Sequence, residues 1–292
     1  VLRYGIPEFR LPNELIDDVV AKITKMGGKF VTNFIVGKTS TLEALKRAGF
    51  WKIFIGTGAG LPRFMNVPGE HLLGILSANE FLTRVNLMKA FAFPEFDTPV
   101  RLGDNVAVVG SGNVAMDCLR TAKRLGAKNV ICLYRRTRDE SPARLEELEH
   151  AEEEDIDFRW LSSPVEIYGN EDGLVTGARV QVMELGEPDD SGRRRPVPIE
   201  GEQYDIELDQ VVMGIGQGPN PLVTKSTEGL ELNRWGNIVV DEETMMTSID
   251  GVFAGGDIVT GAATVILAMG AGKKASEGID NYLRGRETAK SA

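Results

Sequence analysis

The sequence is poor in the side chains that most often carry metal, redox or acid–base chemistry. Its 292 residues include two cysteines, Cys118 and Cys132, and two histidines, His71 and His150. The cysteines form no CxxC or other metal-ligand spacing, so neighbouring thiols build neither an iron–sulfur site nor a redox disulfide. We interpret them as core thiols of a reducing compartment. The histidines belong to no catalytic constellation, so we expect no catalytic acid–base residue and no metal site.

Long apolar runs and an excess of positive charge are also missing. No apolar run approaches the about 20 residues that span a bilayer, and no signal-peptide pattern is present. The formal charge is −10, from 33 basic and 43 acidic residues, and the resulting field repels nucleic acids and anionic membranes. We therefore expect a cytoplasmic protein that binds neither nucleic acid nor membrane.

Basic residues nevertheless gather at two places. One is Arg135-Arg136-Thr137-Arg138, and the other is Arg193-Arg194-Arg195. The second cluster lies within residues 186–196, whose Gly, Pro, Asp and Ser content is typical of a solvated hairpin tip. The sequence assigns it no function.

Residues 105–133 carry the most informative pattern. An apolar run from Asn105 to Val109 leads into a glycine turn, a helix expected over 116–125 and a strand expected over 129–133. The turn has the spacing G-x-G-x-x-A. Its first glycine permits the tight turn, its second lets the backbone approach a pyrophosphate, and its alanine allows close helix packing. The pattern predicts a dinucleotide-binding βαβ unit whose helix N-terminus faces the anion, at Gly110, Ser111, Gly112, Asn113, Val114 and Ala115.

The end of the second strand indicates which dinucleotide is bound. An acidic residue at this position, about 20 residues after the turn, would mark NAD. The position instead holds Arg135 and Arg136, which suit a 2′-phosphate, so the sequence favours NADP(H) over NAD(H). The alternative is an empty glycine turn in an α/β sheet with a solvated basic edge.

Two further strands are expected to end in glycine. Residues 51–58 end in Gly56-Thr57-Gly58, and residues 208–215 lead into Gly214-Ile215-Gly216. The parallel suggests two similar domains, each closing a nucleotide site with such a turn. We therefore include Thr57, Gly58, Gly214 and Gly216 among the candidate cofactor-binding residues.

The periodicity of the remaining chain predicts an alternation of helices and short strands. We expect helices over 14–26, 41–48 (with Ser40 as cap), 77–89, 142–154 and 264–283, and strands over 30–36, 158–161, 165–168, 175–183, 204–209, 236–241 and 251–257. Nothing after Ile215 resembles a separate domain. Residues 98–215 are therefore expected to form one domain, inserted between residues 1–97 and 216–292 of another.

A second motif lies near the C-terminus. Residues 247–257, ending in Gly255-Gly256-Asp257, resemble the C-terminal FAD motif of flavoprotein oxidoreductases with two dinucleotide-binding domains. The resemblance implies that Asp257 accepts a hydrogen bond from the flavin ribitol. It also implies that the helix starting near Ala263-Thr264-Val265 places its positive end beside the flavin pyrimidine. The alternative is an ordinary aspartate near a helix start.

The whole chain resembles a narrower group, the small NADPH-oxidising subunit of bacterial glutamate synthase and its homologues in NADH-dependent ferredoxin:NADP oxidoreductase. The matching segments are residues 2–12, 55–62, 66–70, 78–86, 109–117, 134–136 and 255–257. The resemblance implies an α/β fold of two Rossmann-like domains of the three-layer ββα type, with the NADP(H) domain inserted in the FAD domain. It also implies hydride transfer from NADPH to FAD, and places residues 5–7, 57–58 and 261–264 on the flavin side.

The chain departs from this family in one respect. The family's first half carries cysteine clusters for [4Fe-4S] centres and a first glycine βαβ for FAD, and neither precedes Gly56 here. We expect the C-terminal portion of such a flavoprotein, as a fragment or a split subunit. Binding of FAD is expected to need the missing part, whereas we expect the NADP(H) domain to be complete.

Several alternatives stay open. The electrons could serve glutamate synthesis, ferredoxin reduction, or sulfide or polysulfide reduction. They would pass to a larger glutamate synthase subunit or to a ferredoxin-type electron-transfer subunit, and the chain could form a homo-oligomer. The competing functions are an isolated NADP(H)-binding module without catalysis and a thioredoxin-reductase-like flavoenzyme.

Overall fold

The computed structural model describes residues 1–188 and 192–285; the remainder of the predicted hairpin tip, residues 189–191, lies outside them. The α-helices are α1 (Asn13–Lys25), α2 (Leu42–Arg47), α3 (Ala78–Leu82), α4 (Asn113–Arg124), α5 (Leu145–Glu153), α6 (Pro221–Lys225), α7 (Asp257–Thr260) and α8 (Val265–Leu283). A π-helix (Thr83–Leu87) continues α3, and a 3-10 turn covers Ala90–Ala92. The strands are β1 (Ile53–Ile55), β2 (Leu61–Pro62), β3 (Ile75–Ser77), β4 (Asn105–Val109), β5 (Asn129–Tyr134), β6 (Asp157–Trp160), β7 (Ser162–Gly169), β8 (Val175–Pro188), β9 (Arg194–Glu207), β10 (Gln210–Met213), β11 (Gln217–Gly218) and β12 (Val252–Ala254).

The chain folds into two compact units. The first comprises Val1–Met26 and Pro62–Gly216, and the second comprises Gly27–Leu61 and the chain from Gln217 onward. This division differs from the predicted one, which grouped residues 1–97 with the C-terminal tail. The reason is strand pairing, because β3 hydrogen-bonds to β10 and so makes residues 62–97 part of the first unit.

The first unit is built on a five-stranded parallel sheet in the order β3-β10-β4-β5-β6. Both faces of this sheet are covered, which explains why β4 is a continuous apolar run instead of an alternating one. Val106 and Val108 face α3, α4 and α5. Ala107 and Val109 face the opposite way. Parallel strands place all their carboxyl ends at one edge, so the turns after β4, β5 and β10 meet there.

The third layer is an antiparallel sheet of β7, β8 and β9. Ile167, Val175, Ala178 and Val180 from β7 and β8 pack against the parallel sheet in one buried cluster. The arrangement of helices, parallel sheet and antiparallel sheet is the predicted three-layer ββα architecture. In this unit the sequence-based expectation is confirmed.

The second unit has a smaller core. β1 and β12 pair in parallel, with Ile53 opposite Val252 and Ile55 opposite Ala254. The buried residues around them come from scattered segments: Leu42, Ile55, Val223, Leu230, Ile238, Val252, Ala254 and Ile258. The last helix, α8, buries Ala275 and Gly278.

Two predicted strands are wrong. Residues 30–36 contain no strand, because Asn33 adopts a left-handed φ of 57° and turns the chain. Residues 236–241 form only isolated bridges, from Ile238 to Leu232 and from Val240 to Thr247. In both segments apolar composition suggested a strand, but no neighbouring strand of the described chain provides a continuous ladder.

Helix boundaries shift by a few residues. Thr41, and not Ser40, caps α2 by accepting a hydrogen bond from the Ala44 amide at 3.2 Å. The expected helix over 77–89 changes from α to π geometry at Thr83, and α5 begins at Leu145 instead of Pro142. The strand expected to end at Asp257 covers only Val252–Ala254.

An ion network ties the N-terminal segment to α4 and α5. Arg10 contacts Asp117 at 2.7 Å and Glu147 at 2.9 Å. Arg120 contacts Glu147 at 3.4 Å and Glu154 at 2.9 Å. Asp117 is 3% exposed, and burial, only partly offset by Arg10, raises the pKa of its carboxyl from 3.8 to about 6.

The buried Asp117 carboxyl gives the first prediction. Its folded pKa lies above its unfolded value, so its stabilising contribution is complete below about pH 4 and is lost as the pH rises through about 6. A shift of about 2 units corresponds to at most about 3 kcal/mol. Between pH 4 and pH 7, urea unfolding should show wild type losing up to that amount of stability relative to Asp117→Asn.

The matched control is Glu154→Gln. Burial raises the pKa of Glu154, but hydrogen bonds from Arg124 and Arg120 outweigh burial and lower it overall. Wild type should therefore gain stability relative to Glu154→Gln as the pH rises over the same range. An identical pH dependence in wild type and Asp117→Asn would contradict the account.

Candidate functional site

The turn between β4 and α4 requires glycine at its first position. Gly110 has a φ of +118°, and a Cβ there would lie 2.3 Å from the carbonyl oxygen of Gly214. The Gly110 amide donates to the Leu133 carbonyl at 2.9 Å, and the Gly214 amide donates to the Val109 carbonyl at 2.8 Å. The turn is therefore clamped between the ends of β5 and β10.

Gly112 and Ala115 stand in different surroundings. A Cβ on Gly112 would meet only the Pro142 ring, at 3.8 Å, so one side of the backbone is open. Ala115 is completely buried, and a Cβ on Gly214 would lie 3.2 Å from its methyl group. Ala115 thus lets α4 approach the turn after β10, the close packing that the motif predicted.

The N-terminus of α4 keeps its amide donors. Gly112 is the N-cap residue, and no side chain of the described residues caps this helix. The nearby polar side chains are used elsewhere: Asn113 Oδ1 accepts from the Arg144 amide at 3.0 Å, and Ser111 Oγ lies 2.6 Å from Ser141 Oγ. An uncapped helix N-terminus with open backbone beside it suits a phosphate group, because free amides and the helix dipole both favour an anion.

Sequence reasoning missed the loop over residues 141–144. Ser141 Oγ donates to the Ser111 carbonyl at 2.8 Å, and the Ala143 amide donates to the same carbonyl at 3.2 Å. This loop therefore braces the glycine turn through the Ser111 carbonyl. No motif marks these residues, because their role depends on a neighbour 30 positions away.

The two predicted phosphate-binding arginines are not equivalent. Arg135 is exposed, whereas Arg136 is 5% exposed. Arg136 Nε donates to the carbonyl oxygen of Arg194 on β9 at 2.7 Å. The two side chains therefore lie in different surroundings, because the antiparallel layer covers Arg136.

Both cysteines are free and buried. Burial raises the pKa of the Cys118 and Cys132 thiols, so neither thiol is activated. Cys132 Sγ donates to the Gly110 carbonyl at 3.4 Å. Their interpretation as core thiols is confirmed.

A second cluster lies in the second unit, where β1 and β12 end side by side. β1 runs into Gly56-Thr57-Gly58 and β12 runs into Gly255-Gly256-Asp257. The Gly255 amide donates to the Ile55 carbonyl at 3.2 Å, and Gly256 has a φ of +76°. The structure thus brings together the predicted residues Thr57, Gly58, Gly256 and Asp257 at one strand edge.

Asp257 has an unsatisfied oxygen. Its Oδ1 is buried without a hydrogen-bond partner among the described residues. Burial raises the pKa of this carboxyl, and a hydrogen bond from the Ala263 amide partly offsets the effect. An orphaned carboxylate oxygen is costly and is expected to bind a donor group.

The start of α8 lies just after this aspartate. Thr264 is the N-cap residue, and its side chain accepts from the Leu267 amide at 3.4 Å. Val265 is the first helical residue. Unlike α4, this helix uses one of its free amides on its own cap.

Gly214 and Gly216 belong to the group of residues around the glycine turn of the first unit. Gly214 packs on Gly110 as described, and Gly216 follows with a φ of +104° and accepts at its carbonyl from the Arg63 amide at 3.3 Å. The described residues contain no group of three or more His, Cys, Asp or Glu side chains placed to hold a metal ion. Within the same residues, no helix is long and apolar enough to cross a membrane.

Comparison with known proteins identifies the family of this chain. Residues 3–275 match the family described as pyridine nucleotide-disulphide oxidoreductase. The chain belongs to this family. It is 38% identical over 293 residues to the glutamate synthase (NADPH) small chain of Azospirillum brasilense, covering 99% of this chain and 60% of that protein. It is 40% identical over 286 residues to the NADP(+)-dependent formate dehydrogenase subunit beta of Moorella thermoacetica, covering 97% of this chain and 39% of that protein.

The predicted family resemblance is thus confirmed, although the chain spans only part of the length of these relatives. A solved structure of FprA from Mycobacterium tuberculosis in complex with NADPH matches with a TM-score of 0.73 at 20% identity, covering 97% of this chain and 74% of that one. This likeness establishes the Rossmann-type α/β fold that the sequence predicted.

The glycine turn gives the second prediction. Gly110→Ala should lower the free energy of unfolding by about 2 kcal/mol or more, because the methyl group meets the Gly214 carbonyl and the left-handed φ is strained. Gly112→Ala is the control, with open space and a φ of −88°, and should cost about 1 kcal/mol or less. Urea unfolding of both variants measures this, and equal destabilisation would show that the clamp is not tight.

Proposed function

We propose that this chain binds NADP(H) at the glycine turn and forms the NADPH-oxidising part of a flavoprotein oxidoreductase, in which hydride passes between NADP(H) and FAD. The observation that carries this proposal is the uncapped N-terminus of α4 beside the open face of Gly112. Membership of the pyridine nucleotide-disulphide oxidoreductase family supports it.

The residues around the turn fit a dinucleotide phosphate. The amides at Asn113, Val114 and Ala115 are the donors that an α-helix leaves without intrahelical partners. Gly112 presents no side chain to block an approaching pyrophosphate. The next strand, β5, ends at Tyr134, directly before the exposed Arg135, where the adenosine ribose of a βαβ-bound dinucleotide is recognised.

The second cluster fits part of a flavin. The orphaned Asp257 oxygen suits a hydroxyl donor such as a ribitol hydroxyl, and the α8 N-terminus at Ala263-Thr264-Val265 suits a ring that gains negative charge. When bound, FAD supplies the hydride acceptor and the onward transfer of single electrons. Thr57 and Gly58 form the adjoining strand end. In the second unit the spacing G-x-G-x-x-A occurs only at residues 270–275, inside α8 and not in a turn that could receive the FAD pyrophosphate. We therefore propose that a further segment completes FAD binding, together with the [4Fe-4S] centres expected from the family resemblance.

In this proposal the chain's own residues bind and orient the cofactors. Hydride transfer needs no acid–base residue, and both histidines lie outside the clusters described here, His71 exposed and His150 exposed on α5. The clamp on Gly110 holds the pyrophosphate site rigid, and the buried Val109 and Met213 beside it exclude water from the strand ends. Electrons would leave through a larger glutamate synthase subunit or a ferredoxin-type electron-transfer subunit.

Two alternative functions are separated by experiment. In the longer protein that carries the further segment, a non-catalytic NADP(H)-binding module would bind NADPH and remain colourless with added FAD, whereas the proposed enzyme would bind FAD, turn yellow and be bleached by NADPH. A thioredoxin-reductase-like function needs an accessible thiol pair, and burial of Cys118 and Cys132 counts against it.

The third prediction concerns coenzyme choice. Arg135→Ala should weaken NADPH binding by about 1.5–3 kcal/mol, because one charge-assisted contact to the 2′-phosphate is lost, and should leave NADH binding unchanged. Arg138→Ala is the control, since Arg138 pairs with Glu152 at 3.0 Å, and it should change neither affinity. Calorimetry with both coenzymes tests this, and an unchanged NADPH/NADH ratio in Arg135→Ala would remove Arg135 from the site.

The fourth prediction tests the flavin side. In the longer protein that carries the further segment, Asp257→Asn should weaken FAD binding about tenfold, because the amide accepts a hydroxyl hydrogen bond less strongly than a carboxylate, while NADPH affinity stays at the wild-type value. Fluorescence titration with FAD and calorimetry with NADPH measure the two separately. Equal FAD affinity in variant and wild type would assign the orphaned oxygen to another group.

A further inference from the structure

The distal part of the β8–β9 hairpin is a two-stranded ribbon. β7 pairs with β8 only as far as Val182. Beyond it β8 pairs with β9 alone, from Met183 opposite Pro198 to Pro188 opposite Arg194. A register shift between Gln181 and Met183 marks where the ribbon leaves the antiparallel layer. We call residues 183–188 and 194–198 the basic ribbon, because Arg193, Arg194 and Arg195 lie at or beside its end.

The basic ribbon is anchored to the segment that follows β5. The Met183 amide donates to the Leu161 carbonyl at 2.8 Å, and the Leu161 amide donates to the Arg136 carbonyl at 3.0 Å. Farther along, Arg136 Nε donates to the Arg194 carbonyl at 2.7 Å. The ribbon therefore runs beside the carboxyl end of β5, the same edge of the parallel sheet that carries the glycine turn.

Arg136 acts on the ribbon from a buried position. It is 5% exposed, and a guanidinium is placed at such a site only when its donors are well used. Its hydrogen bond to a backbone carbonyl fixes the β9 strand and not the Arg194 side chain. The Arg194 guanidinium is occupied within the ribbon, with donations to the Leu185 carbonyl at 2.6 Å and the Gly186 carbonyl at 3.1 Å.

Two arginines at this edge have no such engagement. Arg135 and Arg195 are both exposed, and neither side chain forms a hydrogen bond or ion pair with the described residues. Arg135 is adjacent in sequence to Arg136 and Arg195 is adjacent to Arg194, the two residues joined by the 2.7 Å hydrogen bond. Arg135 and Arg195 therefore flank this hydrogen bond, and in a chain of net charge −10 two unengaged guanidinium groups at one sheet edge favour a ligand with at least two negative charges.

We propose that Arg195 is a second guanidinium for the 2′-phosphate of NADP(H), contributed by the basic ribbon from outside the βαβ unit, and that Arg136 is a positioning residue that holds the ribbon in place. The inference rests on the proposed NADP(H) site. A phosphate monoester carries close to two negative charges and three acceptor oxygens, so it can accept from Arg135 and Arg195 together.

The test uses calorimetry on the purified chain with two probes, adenosine 2′,5′-bisphosphate and adenosine 5′-monophosphate, which differ only in the 2′-phosphate. Arg195→Ala should weaken the bisphosphate about tenfold and leave the monophosphate unchanged, and Arg195→Lys should recover part of the loss. The salt dependence of bisphosphate binding should fall in Arg195→Ala, since one phosphate contact is lost.

The positioning role of Arg136 is tested by a double variant. Arg136→Gln should also weaken binding of the bisphosphate only. The double variant Arg136→Gln/Arg195→Ala should bind the bisphosphate as tightly as whichever single variant binds it less tightly, because Arg136 acts through the ribbon. Additive losses would overturn the positioning role and assign Arg136 a separate contact. Circular dichroism of Arg136→Gln checks that the variant is folded, and the Arg195 variants test the proposal without touching a buried residue.

The outcomes separate this inference from the proposed function. If wild type does not discriminate between the two probes, the proposed NADP(H) site fails. If Arg135→Ala removes the discrimination while Arg195→Ala keeps it, the site stands and the ribbon proposal is overturned.

Discussion

The carboxyl edge of the parallel sheet depends on one close approach, that of the Gly214 carbonyl to the α-carbon of Gly110. The contact leaves no room for a Cβ, and it joins the end of β10 to the turn that follows β4. Ala115 packs against Gly214, so the first turn of α4 cannot tilt without breaking this packing. The result is a helix N-terminus held rigidly with its amides free, an arrangement that favours an anion.

The distribution of charge follows from the same architecture. On the flank of α4, Arg120 and Arg124 are paired with Glu154, and Arg10 reaches the buried Asp117. Positive charge on that side is therefore neutralised within the fold. At the carboxyl edge, Arg135 and Arg195 remain unpaired within the described chain. An acidic protein thus keeps a local basic site because its other arginines near α4 are engaged.

The second unit has similar strand ends but a different unpaired group. Two parallel strands again end in glycine, but the group left without a partner is the Asp257 oxygen and not a set of amides. A buried acceptor favours a hydroxyl donor, whereas free amides favour a phosphate. The two clusters therefore present different unpaired groups and are suited to different ligand groups.

The sequence alone was sufficient where a backbone constraint has only one residue solution or where burial produces a clear pattern. Gly110 is such a case, since its positive φ and crowded α-carbon exclude other residues, and the apolar run of β4 is another, since both faces of the strand are buried. The strand expected over residues 30–36 failed because apolar composition does not reveal whether a pairing partner exists. The predicted grouping of residues 62–97 failed for the same reason, because only the pairing of β3 with β10 assigns them to the first unit. The different surroundings of Arg135 and Arg136 were likewise decided by tertiary structure, since the β9 carbonyl that receives Arg136 lies 58 residues away. Local sequence determines what a backbone turn can be, but only the folded chain determines which side chains are covered by distant segments.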